Sequence, residues 1–171
     1  MYARLARSIF EARDMEALLR VIQELKAMLR DRVPSLEEFK ALFAEIVYTD
    51  RLTKSRSLVK YILAAFHRKQ QSAITVDYGS MTIEHLVPQS RIGEHGLTEQ
   101  IVGQMGNFIL VSATANTRLG NRPFREKKKV LEQVGFPLPL EIATAEDWGA
   151  EQITRRTEAL AAEAYNKQWK I

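Results

Sequence analysis

Apolar residues recur at helical spacing from the start of the chain: Leu5, Ile9, Met15, Leu18, Leu19, Ile22, Leu25 and Leu29 form one stripe in a segment free of Gly and Pro. The pattern predicts an amphipathic helical opening whose stripe packs as core. Val33-Pro34-Ser35 breaks it, and Ser35-Leu-Glu-Glu38 has the spacing of a capping box. The helix this starts is expected to bury Phe39, Leu42, Phe43, Ile46 and Val47. A third helix is predicted over about Ser55 to Lys69, with Leu58, Ile62, Ala65 and Phe66 on its inner side.

The period then changes. Ile74-Thr-Val76 is a short β-branched run, Asp77 to Ser80 a turn, and Met81 to Val87 a strand closed by Pro88. Residues 91–105 form a polar connection with a helical turn near Thr98 to Met105. Asn107 to Ser112 reads as the next strand, and Ala113 to Leu119 as a short helix ended by Gly120. Pro123 opens a charged helix, Phe124 to Val134, and Gly135 to Pro139 is a loop. Thr144-Ala-Glu-Asp147 has capping spacing again, ahead of a last helix burying Ile153, Leu160, Ala164 and Trp169. No repeat or flexible linker interrupts this order. The expected fold class is α+β, a small strand–strand–helix core embedded in a mostly helical domain.

Composition changes this picture little. Of 171 residues, 46% are hydrophobic and 27% charged, as in an ordinary globular domain. No apolar run is long enough to span a bilayer, and Glu11 and Asp14 soon follow the start, so no membrane partner or signal peptide is expected. The absence of cysteine excludes disulfides, thiolate metal sites and a Cys nucleophile, and fits a cytoplasmic setting. The net charge of +4 and a pI near 9.4 are compatible with a nucleic-acid partner but do not require one.

The chemistry concentrates in the hairpin. Glu84 and His85 stand side by side in an apolar run ending at Pro88-Gln89. Gly106-Asn107 opens the facing run, and Asn116, Gly120 and Asn121 follow at the short helix. His85 is the candidate general base, because imidazole titrates near neutrality. Glu84 offers a hard oxygen to one divalent ion, Mg²⁺ or Mn²⁺, and Asn116 a second, neutral one. Asn107 is placed to orient the loop that holds His85. On a regular strand Glu84 and His85 face opposite ways, so a shared site requires the strand to bend or end there. Taken singly, Asn107 reads equally as a turn residue, and Asn116 and Asn121 as helix caps. Order and spacing together favour a one-metal site for phosphodiester hydrolysis.

Glu84-His85-Leu-Val-Pro88-Gln89 resembles the first strand of HNH, or ββα-metal, nucleases. The resemblance implies that Glu84 binds metal, His85 activates water, Asn107 orients, and Asn116 is the last metal ligand. The Asn form resembles the HNH nicking domain of CRISPR effectors. More narrowly, Gly106-Asn107-Phe-Ile-Leu, Asn116-x-x-Leu-Gly-Asn121, Phe124 and Lys127-Lys128, with Trp148, Ile153, Arg156 and Leu160, are similar to the C-terminal domain of GmrSD-type restriction enzymes. Phosphorothioate-sensing SspE proteins of phage defence carry the same kind of domain.

What this implies is a single HNH-type nuclease domain over 1–171: a helical flank at 1–70, a ββα-metal core at 74–134 and a second flank at 140–171. It would form the C-terminal part of a longer restriction or anti-phage protein that acts on foreign duplex DNA. Two departures stand out. Glu occupies a position where many HNH enzymes have Asp, and the nucleotide-hydrolysing sensor domain normally fused to this module is absent from the chain.

Arg118, Asn121, Arg122, Arg125, Lys127 and Lys128 are the expected nucleic-acid contacts, and Lys129 extends the run, which reads otherwise as a solvated helical face. His95 is expected at the surface, and His67 against carbonyls at a helix end. The rival to the nuclease is a catalytically inactive nucleic-acid-binding module of the same fold.

Overall fold

The computed structural model describes residues 2–70 and 77–170. Four helices come first: α1 (Tyr2–Glu11), α2 (Met15–Arg30), α3 (Leu36–Ala44) and α4 (Arg56–Gln70). The strand β1 (Met81–His85) follows, then the short helix α5 (Glu99–Val102) and β2 (Phe108–Ser112). The chain closes with α6 (Ala113–Leu119), α7 (Phe124–Gln133), α8 (Leu140–Ala143), α9 (Ala150–Glu163) and a π-helical turn at Ala164–Gln168. This is an α+β arrangement with a two-stranded antiparallel sheet. None of the described helices is long and apolar enough to cross a membrane.

The strands pair in one register, from Met81 with Ser112 to His85 with Phe108. Side chains alternate across a strand, so the sheet sorts its residues between two cores. Ile109 and Val111 join Leu119, Phe124, Leu131, Trp148 and Ile153 on one side. Phe108 and Leu110 join Phe43, Val59, Ile62, Phe66 and Met105 on the other. Both faces of the hairpin are thus covered by helices, which a pair of strands needs for stability in water.

Side-chain caps start several of the helices. Ser35 Oγ accepts from Glu38 N at 3.2 Å, Thr98 Oγ1 from Ile101 N at 3.2 Å, and Ser112 Oγ from Ala115 N at 3.2 Å. Gly120 ends α6 with φ at 49°, a conformation glycine adopts without strain.

The flanks depart from expectation in four places. The opening is two helices, because the Asp14 side chain accepts from Ala17 N at 2.7 Å and starts α2 anew. Its stripe is largely not core: Leu5 is buried, but Ile9, Met15 and Leu19 are exposed, and α2 buries no residue fully. Leu42 and Leu58 also face solvent, whereas Phe43, Ile62, Ala65 and Phe66 are buried as expected. Finally, Thr144 ends α8, and α9 starts several residues later, where Gly149 N donates to Gln152 Oε1 at 3.0 Å. The run Ile74–Val76 lies outside the described residues.

Candidate active site

β1 stays regular through His85, and Leu86 N continues the pairing by donating to Asn107 O at 2.8 Å. Beyond it the backbone is held by a side chain. Asn107, fully buried in the turn before β2, accepts from Val87 N at 2.8 Å and donates to Val87 O at 3.0 Å and Val102 O at 2.8 Å. One amide thereby satisfies both polar groups of Val87, which no strand neighbour serves. The side chain of Asn107 thus fixes the backbone that follows His85.

That turn is itself fixed by α9. Arg156 Nη1 donates to Gly106 O at 3.0 Å and Phe108 O at 2.8 Å, and Gly106 N donates to Thr157 Oγ1 at 2.9 Å. A Cβ on Gly106 would lie 1.9 Å from Ile153 O, so only glycine lets the turn approach the helix this closely.

His85 points into an aromatic sleeve. Its ring meets Phe108 edge-on at a centroid distance of 4.8 Å, with Tyr48 at 5.8 Å. Nε2 lies 3.1 Å from Tyr48 O. A carbonyl only accepts, so Nε2 carries the proton in that bond. Burial pushes the imidazole pKa down to about 4; the Tyr48 carbonyl and Asp50 oppose this and the Lys127 ammonium adds to it. The ring is therefore neutral near pH 7, and Nδ1 keeps its lone pair. Tyr48 is itself pinned: its N donates to Gly103 O at 2.9 Å, and the next residues are tied by Thr49 Oγ1 to Glu99 Oε1 at 2.9 Å and by Asp50 N to Gln89 Oε1 at 2.8 Å.

Glu84 leaves the opposite face of β1, so the strand does not bend to bring Glu84 and His85 onto one side. Its buried carboxylate meets Lys127 Nζ at 2.6 Å, and the same ammonium donates to His85 O at 2.6 Å. Burial raises the carboxyl pKa and lowers the ammonium's, and each partner offsets part of the other's change. Glu84 Oε1 has no hydrogen bond of good geometry, so its contact with Lys127 is one of charge.

Asn116 lies on α6 beside the same face as Glu84. Its Nδ2 donates to Thr82 Oγ1 at 2.9 Å and Ile83 O at 3.4 Å, which leaves Oδ1 to accept. Among the described residues no three His, Cys, Asp or Glu side chains cluster as a ready metal cage. The groups that could hold a cation are the Glu84 carboxylate and the Asn116 amide oxygen. Mg²⁺ is commonly bound through one or two carboxylates, with water and substrate phosphate completing its shell, so this sparse oxygen set fits such an ion.

Lys127 corrects the expected set of phosphate contacts. Its side chain is only 2% exposed and is spent on Glu84 and His85. A signal was present in the sequence: Phe124, Lys127 and Leu131 share the apolar stripe of α7. Lys128 is half-buried and donates to Ala145 O at 2.9 Å, and Arg125 Nε to Glu146 O at 3.0 Å. Arg118, Asn121, Arg122 and Lys129 are exposed. His95 is exposed, as expected, whereas among the described residues His67 Nδ1 meets Tyr78 Oη at 3.0 Å, a partner other than the expected helix-end carbonyls. The Tyr48 carbonyl had no sequence signal, since any residue supplies one.

The family model for the C-terminal domain of GmrSD restriction endonucleases matches residues 33–163, most of the chain and every residue of the site just described. No curated protein and no solved structure matches significantly.

Proposed function

Because the chain belongs to the family of GmrSD restriction endonuclease C-terminal domains, we propose that it is an HNH-type, metal-dependent DNA endonuclease domain that nicks one strand per encounter within a bacterial restriction or anti-phage protein. One observation carries the reading: His85 donates through Nε2 to Tyr48 O, which leaves a neutral ring whose Nδ1 keeps its lone pair. A general base needs that state at working pH.

The reaction requires the end of β1 to rearrange so that Glu84 and His85, on opposite faces of the strand, reach one phosphate. Nδ1 then takes a proton from water, the water oxygen bonds to phosphorus, and the bond from phosphorus to the departing sugar oxygen breaks. A Mg²⁺ or Mn²⁺ ion held by Glu84 and Asn116 would supply charge stabilisation for the leaving oxygen. Asn107 keeps Val87, and so the backbone after His85, in place. A single hairpin with one metal acts on one strand, which is why nicking is favoured over a double-strand break. The DNA is expected to be duplex and foreign, and its selection is assigned to a nucleotide-hydrolysing sensor domain, fused or partnered, outside this chain.

The Glu84–Lys127 contact favours a second reading, a binding module whose carboxylate is permanently neutralised. Relaxation of supercoiled plasmid with Mg²⁺ or Mn²⁺ separates the two. Cutting that falls by roughly two to four orders of magnitude in His85→Ala supports the nuclease. No relaxation by the wild type, with duplex binding retained in EDTA, leaves the binding module.

A further inference from the structure

Lysine is among the residues least often buried, and a buried ammonium is tolerated only with partners. Lys127 has two, the carboxylate of Glu84 and the carbonyl of His85, each at 2.6 Å. It comes from α7, and its helical neighbours Phe124 and Leu131 are core residues, so its stem runs through packed surroundings to reach one place. The ammonium is the charge beside Glu84 Oε1, a buried oxygen with no hydrogen-bond partner. A divalent ion approaching that oxygen meets a like charge at contact distance. The two cations compete for one carboxylate.

We propose that Lys127 is an internal counter-cation of the site, which occupies Glu84 when metal is absent and is displaced from it when a divalent ion binds. The inference rests on Glu84 being a metal ligand. In the metal-free protein Lys127 offsets part of the burial penalty on the Glu84 carboxylate and holds it in position, and it weakens metal binding by competition. DNA phosphate offers the released ammonium a new partner, so metal and DNA bind cooperatively. The active state is then favoured only where both are present.

The test is calorimetric titration of Mn²⁺ into the wild type, Lys127→Gln and Glu84→Gln, without DNA, with folding followed by circular dichroism. Lys127→Gln should bind Mn²⁺ about tenfold tighter or more, as expected when a unit charge within a few ångströms is removed from a poorly solvated site. Its melting temperature should rise more on adding Mn²⁺ than that of the wild type. Glu84→Gln should lose most of the affinity. A folded Lys127→Gln with wild-type or weaker affinity, alongside a Glu84→Gln that does lose metal, overturns the counter-cation while leaving the metal site standing. Unchanged affinity in Glu84→Gln instead removes the metal reading, and the inference with it. Should Lys127→Gln not fold even with Mn²⁺, the wild type labelled with ¹⁵N-lysine decides: a protected ammonium signal in EDTA that shifts or exchanges on Mg²⁺ saturation supports displacement, and one unmoved by Mg²⁺ overturns it.

Discussion

The backbone oxygen of Tyr48 holds the imidazole of His85 in one tautomer, at 3.1 Å from Nε2. The two residues are far apart in sequence and meet because Tyr48 N is bound to Gly103 O, at the end of the short helix that leads into the Asn107 turn. The loop carrying Tyr48 is therefore part of the site, through this carbonyl and through the Tyr48 ring and the Asp50 charge beside the imidazole. A neutral imidazole buried against aromatic rings also has a thermodynamic signature.

The metal-free protein should lose stability as pH falls from about 6.5 toward about 4. Folded His85 has a pKa near 4 against an ordinary value of 6.5. The unfolded chain therefore binds the proton first, and stability rises with pH through that window. The loss at the acid end is on the order of a few kcal/mol, since each pH unit separating the folded and unfolded values is worth about 1.4 kcal/mol. Glu84, whose pKa is raised, contributes in the opposite sense, with stability present at low pH and lost as pH rises through its folded value. Comparing urea unfolding of the wild type and His85→Phe in EDTA across this range isolates the histidine. A difference between the two that does not vary with pH refutes the buried neutral ring.

Asn107→Ala should lower the melting temperature and slow cutting while leaving Mn²⁺ affinity within a few-fold of wild type. It strands Val87 N, Val87 O and Val102 O, and each unpaired buried group costs roughly 1–3 kcal/mol. Asn107→Asp, nearly the same shape, should be at least as damaging, because its second oxygen faces two carbonyls that need a donor. Melting, metal titration and nicking rate on the same samples check the claim. Loss of metal binding in a folded variant would make Asn107 a ligand.

Gly106→Ala should be among the most destabilising single-methyl additions in the chain. The new carbon would collide with Ile153 O on α9, and backbone cannot rotate away as a side chain does. The same substitution at Gly135, where nothing lies within 4 Å but φ is 66°, should cost only the roughly 1–2 kcal/mol of a left-handed residue. Thermal melting of both variants decides, and a Gly106→Ala as stable as Gly135→Ala would contradict the close approach.

Removing the charges of Arg118, Arg122 and Lys129 together should weaken binding of duplex DNA alike for all sequences. The log–log salt slope should become shallower by roughly 0.9 for each phosphate that these side chains no longer neutralise. All three are exposed around α6 and α7. Lys127→Gln should leave that slope unchanged in EDTA, since its ammonium faces inward. Fluorescence anisotropy over a range of salt measures both, and a wild-type slope in the triple variant would move the DNA path elsewhere.

The hairpin is legible in the sequence because its signals are local. Its two strands are short runs of apolar and β-branched residues, Pro88 and Gly120 mark ends, and Ser112 caps α6. Asn107 is legible for the same reason, since a polar residue opening an apolar strand needs partners. The break at Asp14 is hidden, because a capping residue in a charged helix face looks like any other acidic position. Lys127 is easily misplaced: its neighbours Lys128 and Lys129 make the run look like a surface, while the stripe through Phe124 and Leu131 points inward. The contact of Tyr48 O with His85 has no local signature, because it depends on two segments that only the fold brings together.

The grip of Arg156 and Thr157 on the Gly106 turn sets a limit on how small this unit can be made. The two strands and the helix after them carry Glu84, His85 and Asn116, and on paper they form a portable cassette ending near residue 134. Yet the turn that presents Asn107 is braced by a helix that begins at Ala150. A chain cut after α7 would keep every residue of the chemistry and lose the brace, and with it the fixed backbone behind His85. Transplanting the site into another protein therefore means carrying α9 along.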